Sequence, residues 1–200
     1  MTLFGRILSM ILGVMMLTGP APAGGPEDMT VYTLPGYLDI SIPSQCMVIT
    51  EDTPEDHGIF KLIGREKDEM IGQFGLSKIS LVAFLSGFED QLYVDVQDFV
   101  FYKEFSTASD TLLKAVMDAN ITQWEYRGTY VDRYEIYEHA QTRFLKCPYR
   151  DEVNGTSGMQ YWTMHGGKTY FFCFVSDLDE GDEAMMDAII DSVVFAYQPD

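Results

Sequence analysis

Cysteine is scarce: three residues in 200 are too few for a disulfide framework, and an odd number leaves at least one thiol unpaired. Histidine is equally sparse. His57, His139 and His165 fall into no metal-ligand spacing such as H-x-x-x-H, so they read as surface or turn residues. Positive charge is the largest deficit. Thirteen Lys and Arg face 31 Asp and Glu, a formal charge of −18. A polyanion repels phosphate backbones and anionic membranes, so nucleic acid is excluded as an expected partner and the acids read as a solvated surface.

The motifs of chemistry are missing too. No glycine-rich phosphate loop is present, and the nearest serine string, Gly155-Thr156-Ser157-Gly158, is not G-x-S-x-G and sits in an expected hairpin loop. Asp177 to Asp182 opens like a calcium loop. It fails at the fifth, sixth and twelfth places, which hold Gly181, Asp182 and Ala188, and reads as a helix N-terminus dressed with acids. His139 and Cys147 would be about 26 Å apart in one continuous strand at ~3.3 Å per residue, too far for a nucleophile and its base. No catalytic residue, metal ligand or cofactor is therefore assigned.

One long apolar run exists, Ile7 to Leu17, preceded by Arg6 and followed by Thr18-Gly19-Pro20 and Ala21-Pro22-Ala23. A charged start, an apolar core and an A-x-A site make a secretory signal, with cleavage expected after Ala23. Eleven residues of helix cover only about 16 Å, roughly half a bilayer's hydrocarbon core, so a retained anchor is disfavoured. No cysteine lies near the site to carry a lipid. Removal takes away Arg6 and no acid, moving the formal charge from −18 to −19. The expected location is extracytoplasmic: secreted, periplasmic or at the cell surface.

The remaining chain is long enough for one core, and 46% hydrophobic and 14% aromatic residues exclude disorder over most of it. Residues 24–36 read as a polar linker, 37–196 as a single domain and 197–200 as a tail. Strands are predicted at Tyr37 to Pro43, Cys46 to Thr50, Gln91 to Phe101, Thr129 to His139, Thr142 to Cys147, Met159 to Met164 and Thr169 to Val175. The last three form a meander with turns at Asn154-Gly155 and Gly166-Gly167. Helices are predicted from Ser77 to Ser86, from a Ser106 cap to Ala119 with Asn120 ending it, and from Glu180 to Val193 behind an Asp179 cap. The final strand is apolar on both faces, with Tyr170, Phe172 and Phe174 opposite Phe171, Cys173 and Val175, so it must be covered on both sides. Cys147 and Cys173, on strands one and three of the meander, would lie about 9.5 Å apart, beyond the ~7 Å reach of a disulfide. All three cysteines are expected reduced and buried. The fold class is thus α/β, an α/β/α sandwich with a mostly antiparallel sheet of five to six strands and helices on both faces.

Three stretches carry a family likeness: Tyr37-Leu38-Asp39-Ile40-Ser41-Ile42-Pro43, the hairpin from Met159 to Phe172, and Ile190-Asp191-Ser192-Val193-Val194-Phe195. With the element order around them they resemble the PsbP-like superfamily, closest to its exported bacterial members of unknown role. The resemblance implies the same sandwich and transfers no functional residue. The stretch from Glu51 to Gln73 departs from the family pattern.

One cluster is suited to recognition. Trp124, Tyr126 and Tyr130 crowd a short segment among Glu125, Arg127 and Gly128, with Asp132, Arg133 and Tyr134 following. In an extended chain the three rings share one face, a platform for a sugar or peptide. The alternative is that they pack inward. The function expected is that of an exported, non-catalytic binding or accessory protein with an unidentified protein or glycan ligand. A secreted hydrolase-type enzyme and a structural cell-surface component are the alternatives.

Overall fold

Antiparallel pairing organises the chain. The computed structural model describes residues 28–75, 77–86, 89–98, 104–176 and 180–196. The expected signal, the Asp179 cap, the 99–101 end of the third predicted strand and the 197–200 tail lie outside the described residues.

A nine-stranded sheet contains β3 (Met47–Thr50), β4 (Gly72–Phe74), β5 (Ser77–Ser86), β6 (Asp90–Gln97), β7 (Thr129–Tyr130), β8 (Glu135–Glu138), β9 (Arg143–Asp151), β10 (Thr156–His165) and β11 (Lys168–Val175). Its order is β3-β5-β6-β11-β10-β9-β7, with β4 on β5 and β8 on β9. A smaller sheet of order β1-β2-β12 joins β1 (Met29–Leu34), β2 (Leu38–Pro43) and β12 (Val194–Phe195). The helices are α1 (Gly58–Ile63), α2 (Lys67–Met70), α3 (Asp110–Glu125) and α4 (Glu180–Asp191).

The predicted meander forms as β9, β10 and β11. Gly166 and Gly167, at φ 58° and 72°, supply the left-handed pair that a tight two-residue hairpin needs, pairing His165 with Lys168. Gly158 answers a different demand: a Cβ there would lie 1.8 Å from the Phe174 carbonyl oxygen. The two faces of β11 divide as its alternation predicts. Cys173 and Val175 join Tyr93, Trp162 and Met164 beneath α1, α2 and α3, through Phe60, Ile63, Met70, Leu113, Val116 and Met117. Tyr170, Phe172 and Phe174 join Val94, Met159 and Tyr161 beneath the small sheet and α4, through Leu38, Ile40, Ile42, Met186, Ile189 and Ile190. Each face dries a continuous apolar layer, at ~25 cal/mol per Å² of apolar area removed from water.

Several expectations are corrected. The main sheet has nine strands instead of five or six, and its second face is covered by a three-stranded sheet together with α4 instead of by helices alone. Ser77 to Ser86 is a strand, not a helix. Ile79, Leu81, Val82, Ala83 and Phe84 are all buried, because β5 is covered on both faces, and register shifts at Ile79/Leu81 and Phe84/Ser86 break its alternation. An apolar run of that kind imitates helical spacing. Residues 29–34, inside the expected linker, form β1. In the polar stretch after Glu51, α1 starts where His57 Nδ1 accepts a hydrogen bond from the Ile59 amide. The helix expected from Ser106 begins at Asp110 under a Ser109 cap, whose Oγ accepts from the Leu112 amide at 3.2 Å. Asn120 does not end it. Its side chain donates to the Val116 carbonyl at 2.8 Å inside the helix. The strand expected from Thr129 to His139 is two short pieces, β7 and β8.

Candidate functional site

Lys146 marks the most built polar site. It lies on β9 opposite Tyr161 of β10 and Glu135 of β8, on the face that α4 covers, with its side chain 4% exposed. Along α4, Glu183, Asp187 and Asp191 repeat every fourth residue, so their carboxylates share one helix face and repel one another. Lys146 offsets that repulsion. Its Nζ is 2.7 Å from Glu183, 2.8 Å from Asp187 and 3.5 Å from Glu135. The ammonium also sits over the rings of Tyr137 and Tyr161, at 5.4 and 5.5 Å. Tyr161 donates its hydroxyl to Asp187, and Tyr137 donates to Asp191 at 2.7 Å.

The electrostatics follow from this geometry. Burial alone would depress Lys146, but hydrogen bonds and attraction from Asp187 and Glu183 outweigh it and raise its pKa. Burial, then hydrogen bonding to the neighbouring carboxylates, pushes the phenols of Tyr137 and Tyr161 up. The network therefore sets one ammonium and two neutral phenols among the carboxylates of α4 and β8.

Above Lys146 opens a cleft of about 240 Å³. Arg133, Tyr134 and Glu135 form one wall, Glu183 the other, and Pro148 and Met159 add apolar surface. Its lining offers carboxylate acceptors for hydroxyls and cations, one guanidinium, a ring and two apolar contacts.

The three rings expected to form a platform do not share a face. Trp124 is 8% exposed and Tyr126 is 93% exposed. Trp124 packs 6.3 Å from Trp162, which itself stacks on Phe171 at 5.6 Å. Half-buried Tyr130 stands on β7 under the Arg150 guanidinium, 5.8 Å from its ring. The extended-chain premise fails because α3 runs through Glu125 and turns successive residues by ~100°, so residues two apart point in opposite directions. Arg133 and Tyr134, from the end of the same aromatic stretch, do reach the cleft. Glu135, Lys146 and Glu183 were missed, although the four-residue spacing of acids at 183, 187 and 191 was visible in the sequence.

The nucleophile-class side chains are occupied elsewhere. Cys46, Cys147 and Cys173 are free and buried, as expected. Burial pushes the Cys46 thiol up to about 11, Cys173 up to about 12 and Cys147 higher still. Gln160 pairs with Cys147 on one side and Cys173 on the other, so β10 separates the two thiols. His57 caps α1 in an exposed turn, as a turn histidine should. His139 and His165 are half-buried against Phe195, at 6.1 and 4.7 Å between ring centres, and burial lowers the pKa of His139. Among the described residues no group of three His, Cys, Asp or Glu is arranged to hold a metal ion, and no helix is long and apolar enough to cross a membrane.

No family model matches the chain, and no curated protein matches it. Among solved structures, the solution structure of cyanobacterial PsbP (CyanoP) from Synechocystis sp. PCC 6803 is similar over 90% of this chain and 99% of that one, at 12% identity and a TM-score of 0.49.

Proposed function

We propose that this chain is an exported, non-catalytic binding or accessory protein that takes a protein segment or glycan at the Lys146 cleft. The observation that carries this reading is the cleft's construction. A buried ammonium pins α4 to β8 and β9 through Glu183, Asp187 and Glu135, holding an amphipathic opening of about 240 Å³ in fixed shape. A preformed site binds without first ordering its walls. Lys146 is committed to its carboxylates and serves as scaffold, while exposed Arg133 and half-buried Tyr134 face the ligand. Raised thiol pKa values leave the cysteines protonated and inert, which supports recognition over nucleophilic chemistry. The apolar segment from Ile7 to Leu17 supports export.

The test is capture of partners from the envelope and medium of the producing cell, using the full chain and two exposed-residue variants. A partner retained by the native protein and by Tyr126→Ala, but lost by Arg133→Glu, supports the cleft. A partner captured equally by Arg133→Glu contradicts it.

A further inference from the structure

The strand edges of a sheet display half of their N–H and C=O groups, and natural proteins guard them by shortness, charge, proline or bulges. Most edges here are guarded. β7 and β12 are two residues long, β4 three and β3 four, while β8 carries Glu135 and Glu138 at its ends. β1 differs from all of them. It is six residues, Met-Thr-Val-Tyr-Thr-Leu, with no charge and no proline, paired without a register shift to β2 and to no other described strand. Val31 is 63% exposed, and Thr30 and Thr33 are exposed as well. The inward residues Tyr32 and Leu34 anchor β1 on the core, so the edge is held extended and ready.

The charges around this edge have one prevailing sign. Exposed Asp28 precedes β1 and accepts from Ser44. Asp39 stands opposite Thr33 on the outward face of β2. Glu51 and Asp52 lie beside Thr33 and Leu34, where Lys78 is spent on an ion pair with Glu51 at 2.8 Å. We infer that β1 is a strand-addition site for an extended segment of another protein that alternates basic with β-branched residues. Main-chain hydrogen bonds along β1 supply the affinity, and Asp28, Asp39 and Asp52 select the basic side chains. A second copy of the chain is disfavoured, because it brings the same acids and a charge of −18 to the same edge.

The probe is a labelled peptide of about ten residues alternating Lys with Val and Thr, titrated by anisotropy at about 0.15 M salt against the full chain. Its control has the same composition plus two central prolines, which keep the charge and remove ladder donors. The alternating peptide is expected to bind about tenfold or more tightly than the proline control. It is also expected to slow amide exchange at residues 29–34 and to lose binding to Val31→Lys and, independently, to Thr33→Lys. Arg133→Glu is expected to bind it as the native chain does, which separates this site from the cleft. Equal binding of both peptides, no binding, unchanged binding by both lysine variants, or a β1-dependent dimer in sedimentation would each overturn the assignment.

Discussion

Asp95 should set part of the pH dependence of stability, and Asp95→Asn isolates its share. It lies on β6 between Ile79 and Phe171, is 4% exposed, and its Oδ1 has no hydrogen-bond partner among the described residues. Burial raises its pKa to about 7, against a partial lowering by hydrogen bonds from Ser77 and Gln97. Below the ordinary Asp value near 4, both folded and unfolded chains hold the proton. Between about 4 and 7 the unfolded chain releases it while the folded chain keeps it, so unfolding gains ground as pH rises. This contribution is fully present below pH ~4 and lost as pH rises to about 7. About three pKa units at ~1.4 kcal/mol each make it on the order of 4 kcal/mol. The Asn variant carries no titrating group, and the cost of its amide meeting the donors at Ser77 and Gln97 is the same at every pH, so it cancels between the two ends. Urea unfolding across pH 4 to 8 should therefore show Asp95→Asn gaining roughly 2 to 4 kcal/mol on the native protein between the two ends. A difference between the two proteins that does not change with pH would refute the reasoning.

Trp124→Ala should cost about 3 to 5 kcal/mol, because the ring is buried against Trp162, while Tyr126→Ala should stay within about 0.5 kcal/mol. Thermal unfolding by circular dichroism compares them, and equal shifts would contradict the placement of the two rings. Lys146→Met removes the counter-charge of Glu183 and Asp187. It should cost about 2 to 3 kcal/mol, below the ~3 to 5 of a fully buried pair, because the two carboxylates remain 39% and 31% exposed. Urea titration reads it, and a neutral or stabilising effect would show that Lys146 does not hold α4. Thiol titration in denaturant without reductant should count three for Cys46, Cys147 and Cys173, and a count of one would reveal a bridge.

Legibility in the sequence followed burial geometry. β2 and the β9-β10-β11 meander were readable because their turns and alternation are local properties, carried by Pro43, Gly166 and Gly167 and by the two apolar faces of β11. β5 was not, since a strand buried on both faces has no polar period to report and its bulges shift the remainder. β1 was hidden by a polar, breaker-rich approach and draws its strandness from pairing with β2. Trp124 to Tyr130 failed at one boundary: α3 ends at Glu125 instead of Ala119, and six more helical residues turn a platform into a buried ring and an exposed one. None of Trp124, Tyr126 and Tyr130 lines the cleft, and only Arg133 and Tyr134, their neighbours in sequence, do. The rest of the cleft depends on β8, β9 and α4 meeting in space, and pairs such as Lys146 with Glu183 and Asp187 are tertiary events that no local spacing announces.

The claim that the chain recognises its ligand at the Lys146 cleft is tested most directly by hydrogen exchange on the protein bound to the partner it captures. Slowed exchange at Glu135–Glu138, Arg143–Asp151 and Glu180–Asp191, with the 126–130 end unchanged, is the predicted result. Protection absent from those three elements, or confined to 126–130, would contradict it.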